Sequence, residues 1–138
     1  MINKKNIYFY LSCVVIMCIL VFNITLYYKY HIEAGHTLRD AKNVQLAMRM
    51  LSIEYLGKGV PVYNYGSLHG MDAITETEIK HLSGADGEIT LISWNSDENI
   101  PNKFYYQTDK FLVIYEYDMV QKELQWEIYR IRPIMRLG

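Results

Sequence analysis

Few residues in this chain carry the chemistry for a reaction. His69, Asp72, Glu76, Glu78 and His81 form its densest cluster of titratable side chains, and carboxylates beside imidazoles are the raw material of a hydrolase or a metal site. Their intervals match no established ligand or catalytic spacing. Glu76 and Lys80 would share the solvent face of a short amphipathic helix, which favours a solvated face over chemistry. His31 and His36 stand five residues apart beside an apolar segment, a helical spacing that separates them, so interfacial solvation is favoured over a metal pair. Ser52, Ser67, Ser83, Ser93 and Ser96 lie in no nucleophile-elbow sequence, and the chain has no glycine-rich phosphate loop. Asn95-Ser96-Asp97-Glu98-Asn99 has oxygens enough for calcium, which takes about six to eight. It lacks the spaced Asp/Asn-Gly pattern of a calcium loop, and Asp and Asn are the usual turn residues between strands, so turn chemistry is favoured. The expectation is a protein that is not an enzyme, with no cofactor and no metal.

The elements that hold these residues begin with a charge-free stretch. The 138 residues give one domain's worth of chain, with 51% hydrophobic and 21% charged residues, but no charge lies between Lys5 and Lys29. All 15 acidic residues and 12 of the 14 lysines and arginines follow. Ile7 to Tyr28 is 22 residues, roughly 33 Å as a helix, enough to cross the hydrocarbon core. Tyr8, Phe9 and Tyr10 at one end and Tyr27, Tyr28 and Tyr30 at the other suit the two headgroup levels. A cleaved signal peptide is the alternative, given Lys4 and Lys5, but the apolar run is long for one and no small-x-small site follows it. Lys4 and Lys5 favour a cytoplasmic N-terminus, although Lys29, Arg39 and Lys42 reduce the contrast. The expected layout is a cytoplasmic N-terminus over 1–6, a single-pass transmembrane helix over 7–28 and an extracytoplasmic domain over 29–138. Within the span Cys13 and Cys18 point about 140° apart and cannot pair, which leaves the exported domain without a thiol. Asn23 is the polar residue for packing between spans, with solvation by headgroups as the other reading.

From Ile32 the pattern turns helical. Thr37, Ala41, Val44, Met48, Leu51 and Tyr55 recur at intervals of four and three, and Ala41, Val44, Met48, Leu51 and Tyr55 are the candidates for the buried interface of the helix. Gly57-Lys58-Gly59 with Pro61 ends it. Gly35 is the one weak breaker between span and helix, so either a rod from Ile7 to Leu56 or a bend near Gly35 fits. Thr75 and Glu78 form a capping box for a short second helix, with Ile79 and Leu82 on its apolar side and Gly84 closing it. Four strands follow at meander spacing: Glu88 to Trp94, Lys103 to Thr108, Phe111 to Tyr117 and Lys122 to Ile131. In the last, Leu124, Trp126 and Ile128 alternate with Gln125, Glu127 and Tyr129, which predicts one buried face. The fold class is α+β, a long amphipathic helix covering a four-stranded antiparallel β-meander.

This arrangement resembles the type IV pilin and pseudopilin family. The stretch from Asp40 through Leu51 to Tyr55, then Gly57, looks like the amphipathic half of a pilin helix. Pilins carry a glycine, an aromatic and a glutamate at the start of the apolar segment. Here Lys5-Asn6-Ile7-Tyr8 stands in that place, with no glycine before Gly35 and no glutamate before Glu33, so the likeness implies an uncleaved relative. It also implies a non-enzymatic subunit of an extracytoplasmic filament, secretion or DNA-uptake type assembly. A small anchored binding or regulatory module of the bacterial envelope is the alternative. The partners expected are the lipid bilayer and other envelope proteins, with self-assembly included. A net charge of -1 argues against nucleic acid, whose binding domains are expected to carry a clustered basic face. Among the 13 tyrosines, Tyr105, Tyr115, Tyr117 and Tyr129 cannot all share the side of Trp126, so with Arg130 and Arg132 they mark a candidate interaction surface. Solvent-tolerant tyrosines on the second sheet face and solvated arginines are the plainer reading.

Overall fold

The structure is a computed structural model and describes residues 3–131. Its elements are α1 (Lys4–Lys58), α2 (Ala73–Ser83), β1 (Glu88–Asn95), β2 (Ile100–Gln107), β3 (Phe111–Asp118) and β4 (Glu123–Arg130). The chain divides into two compact units at Gly35, although α1 keeps its helical backbone through that glycine.

The first unit is the N-terminal part of α1. It is long and apolar enough to cross a membrane, and its large apolar side chains from Ile7 to Tyr28 are all exposed. No side chain of this stretch packs into a protein core, and two of its polar groups turn back on the helix. Asn23 Nδ2 donates to the Ile19 carbonyl at 2.9 Å, and Thr25 Oγ1 donates to the Val21 carbonyl at 2.8 Å.

In the second unit α1 buries Thr37, Ala41, Val44, Ala47, Met48, Leu51, Ser52 and Tyr55. The intervals of three and four lay these residues along one side of the helix, and the apolar ones, with Tyr55, join Phe104, Tyr106, Val113 and Tyr115 of the sheet in one core. The helix ends one residue later than its first glycine suggests. Gly57 is still helical, and Gly59 at φ 70° makes the stop, with Val60 N–H donating to the Tyr55 carbonyl at 3.0 Å.

The sheet order is β1-β2-β3-β4, antiparallel throughout. β2 starts at Ile100, three residues before the expected Lys103, and so contains Pro101. The Trp94↔Pro101 pairing adjoins a bulge in β1, where the ladder does not need the missing donor. The bulge also lets Trp94 pack on the core. Phe104 and Tyr115 stack at 4.9 Å, and Trp126 meets both rings.

Two expectations about burial need correction. β4 does alternate, but Leu124 is exposed and Trp126 and Ile128 are only half-buried, because β4 is an edge strand. On α2, Ile79 is fully buried while Leu82 is exposed. The capping box is absent. Asp72 is the N-cap residue, without a side-chain cap bond, and Thr75 lies inside the helix. Thr75 and Glu78 turn instead to Tyr55: the Tyr55 hydroxyl donates to Glu78 Oε2 at 2.7 Å, which leaves Thr75 Oγ1, at 3.3 Å, to donate to the phenol oxygen. Gly84, left-handed at φ 69°, closes α2 as expected.

Candidate functional site

The titratable cluster is real in part, and its members are sorted by the 59–72 loop. Gly70 lies against β1: a Cβ there would stand 1.8 Å from the Leu91 carbonyl oxygen, and its φ is 75°. Only glycine fits both demands. That approach brings the His69 carbonyl to the Leu91 N–H at 2.8 Å, so the loop covers the β1 edge that β2 leaves open. It also sets the His69 ring between two elements. Nδ1 is 2.9 Å from Glu76 Oε2 on α2, and Nε2 is 3.3 Å from Glu88 Oε1 on β1. Lys80 Nζ takes the other Glu76 oxygen at 3.2 Å.

Glu76 is therefore not on an open solvent face. Its side chain is 16% exposed. Burial works to raise its pKa, but the hydrogen bonds from His69 and Lys80 and their charges outweigh burial and hold the carboxyl below the usual glutamate range. The remaining members go elsewhere. Asp72 Oδ1 receives Asn64 Nδ2 at 2.7 Å and Ser67 Oγ at 3.3 Å, Glu78 belongs to Tyr55, and His81 is exposed. Glu88 is the partner that sequence reasoning missed, since nothing in a 19-residue separation from His69 signals contact. Among the described residues no group of three or more His, Cys, Asp or Glu is placed to hold a metal ion. His31 packs its ring on Tyr27 at 4.2 Å, and Arg39 Nη2 donates to His36 Nδ1 at 3.0 Å.

The Asn95–Asn99 segment is built as a turn. Asn95 Oδ1 accepts the N–H groups of Asp97 and Glu98 at 3.1 and 3.2 Å, and Asn99 takes a left-handed φ of 56°. Asn99 also ties the turn to α1: its Nδ2 donates to the Ser52 carbonyl at 3.1 Å, and Ser52 Oγ is 3.1 Å from the Asn99 carbonyl. Beside this tie lies an open groove of about 360 Å³, lined by Ser52, Leu56, Val62, Tyr63, Trp94 and Asn99 among others.

The proposed tyrosine surface is divided between the two sheet faces. Tyr115 is fully buried against Phe104 and is core rather than surface. Burial pushes its pKa up, against the opposite effects of Gln45 and Arg49 on α1. Tyr117 shares that face, half-buried on the core, and its hydroxyl donates to Glu98 Oε2 at 3.2 Å. Its pairing with Leu124, and that of Tyr115 with Trp126, puts all four on one side. Tyr105 and Tyr129 lie on the other face, through the pairs Tyr105↔Ile114 and Leu112↔Tyr129. There Tyr105 is half-buried, while Tyr129 is exposed and donates to Glu127 Oε2 at 2.6 Å. Arg130 is exposed at the end of β4, and Arg132 lies outside the described residues.

A second apolar surface was not foreseen. Leu46, Met50 and Ile53 are 55%, 55% and 72% exposed, and their spacing places them on one side of α1, opposite its buried stripe. Each was visible as an apolar residue, but a reading that followed one stripe passed over the other. No family model, curated protein or solved structure matches the chain.

Proposed function

We propose that this chain is a single-pass, membrane-anchored, pilin-like and non-enzymatic subunit of an extracytoplasmic filament, secretion or DNA-uptake type assembly, with its N-terminus in the cytoplasm. The observation that carries this reading is α1. One helical element begins with a fully exposed apolar segment of membrane-spanning length and ends as the covering helix of a four-stranded meander. The stripe of Leu46, Met50 and Ile53 supports the assembly part of the reading, because contiguous exposed apolar residues on a helix are a surface for packing against another chain. The groove beside Trp94 and Tyr63 favours the second reading, an anchored module that binds a foreign partner.

The test places a single reporter thiol on the β3–β4 turn. Val120 is 93% exposed, so Val120→Cys in a Cys13→Ser, Cys18→Ser background disturbs no packing. Labelling of intact cells by a membrane-impermeant reagent, followed by crosslinking in the membrane, is expected to give external labelling and self-ladders. External labelling with one foreign band selects the anchored module. No external labelling puts the domain in the cytoplasm and sinks both readings.

A further inference from the structure

The two edges of the sheet are finished differently. At β1 the 59–72 loop lies along the edge, where the Leu91 N–H donates to the His69 carbonyl at 2.8 Å and the Tyr63 hydroxyl to the Ile92 carbonyl at 3.1 Å. β1 also carries the bulge. β4 has neither device. Its eight residues pair with β3 in unbroken register, it contains no proline or lysine, and among the described residues no backbone group outside β3 bonds to it. Which of its groups face outward follows from one bond. The Ile131 N–H donates to the Lys110 carbonyl at 2.8 Å, so the adjoining pair Phe111↔Arg130 is of the non-hydrogen-bonded kind. By alternation, Gln125 and Glu127 exchange bonds with β3, while Leu124, Trp126 and Ile128 turn their N–H and C=O groups away from the sheet.

The side chains along this edge specify what fits beside it. Toward the core, Leu124 is 49% exposed and Trp126 and Ile128 are half-buried, so a neighbouring strand with apolar residues at alternate positions would extend the covered face. On the opposite side, Glu123 and Glu127 are exposed, and among the described residues no cation lies within ion-pair distance of either. Carboxylates four residues apart share one face of a strand, and lysines or arginines at the same spacing would stand against them. We propose that β4 is a docking edge for an extended segment of another protein, apolar at alternate positions and basic between them, which joins the sheet as a fifth strand. A second copy of β4 brings its own Glu123 and Glu127 and does not supply that charge. The edge lies wholly within the folded unit, so the docking stands with or without the membrane and assembly reading.

The probe is a capped octapeptide of alternating valine and lysine, added to the full chain in nonionic detergent micelles, with empty micelles as the blank. Amide hydrogen exchange is expected to slow at least about tenfold at Leu124, Trp126 and Ile128, the outward donors, and less at Gln125 and Glu127, whose donors already bond to β3. Affinity for a dye-labelled copy of the peptide is expected to fall about fivefold to tenfold in the double variant Glu123→Gln, Glu127→Gln, which loses two cross-strand charge pairs. Leu124→Pro removes one outward N–H, leaves the β3–β4 bonds in place and is expected to abolish binding. An octapeptide of alternating valine and glutamate is expected not to bind. Unchanged exchange at the three outward amides overturns the proposal, as does equal binding of the acidic peptide or full binding by Leu124→Pro. Exchange at these amides that slows when the protein alone is concentrated also overturns it, by seating a second copy on the edge. Should Leu124→Pro fail to fold, the double glutamine variant and the exchange pattern decide the matter.

Discussion

Glu76 and Tyr55 show how much of this domain's polar chemistry is spent on joining elements. Glu76 is largely covered and carries a depressed pKa, since His69 and Lys80 outweigh the effect of burial. A carboxyl whose folded pKa lies below its unfolded value contributes stability above the unfolded pKa, about 4.3, and loses it as pH falls through the folded one. Thermal unfolding of the full chain in micelles, followed by tryptophan fluorescence, is therefore expected to fall in midpoint below about pH 4.3. Glu76→Gln is expected to be less stable near neutrality and to show a smaller fall; an equal fall would place the acid sensitivity elsewhere. Tyr55 lies where α1 meets α2, its hydroxyl between Thr75 and Glu78. Thr75, donating to the phenol, lowers the tyrosine pKa, but burial and the Glu78 carboxylate outweigh it and the net shift is upward. Tyr55→Phe keeps the ring and deletes both bonds, so a loss of about 1–2 kcal/mol is expected in urea unfolding, with Glu78→Gln costing less. No change for Tyr55→Phe would mean that water replaces the hydroxyl without cost.

At the scale of elements, Gly70 sets the position of the whole 59–72 loop. Its missing Cβ allows the close approach to Leu91, and its φ of 75° suits glycine alone. Gly70→Ala must either push the loop off the β1 edge or strain both, and a destabilisation of at least about 2 kcal/mol is expected from urea titration. Gly35→Ala on α1, where a Cβ meets nothing within 4 Å, is the control and is expected to be neutral or slightly stabilising. Elements of this kind were legible wherever one residue type repeats. The period of α1, the glycine stops at Gly59 and Gly84 and the strand spacing are local signals, and the architecture followed from them. What escaped was non-local. Thr75 and Glu78 have the spacing of a capping box, but Tyr55, 20 residues from Thr75 in sequence, takes both side chains. The alternation of β4 is genuine, yet alternation does not report whether a strand lies at the edge, where its inward side chains stay half open. Tyr115 and Tyr129 look alike in sequence; the strand register sends one to the core and the other to the open face. The site shows the same divide, for His69 and Glu76 were marked by their types while Glu88 became their neighbour only through the fold.

For the whole molecule, the question is what covers the apolar surface that the fold leaves bare. The segment from Ile7 to Tyr28 has the length and exposure for lipid, whose hydrocarbon needs no specific contact. Lipid does not explain Leu46, Met50 and Ile53, which belong to the folded unit and face away from its core. In an anchored module these three are ordinary surface residues, and charged replacements there change stability by no more than about 0.5 kcal/mol. In an assembled subunit the same replacements place charges in a contact between chains, at a cost of several kcal/mol for each one buried without a partner. The double variant Met50→Glu, Ile53→Glu, built on the Val120→Cys reporter, separates these cases. Unfolding of the domain is expected to stay within about 1 kcal/mol of the parent, because neither side chain contributes to the core. Self-ladders from in-membrane crosslinking are expected to disappear while external labelling at position 120 persists. Ladders that survive with full intensity would remove the stripe from the subunit contact and leave the sheet's open face, with Tyr105 and Tyr129, as the surface to substitute next.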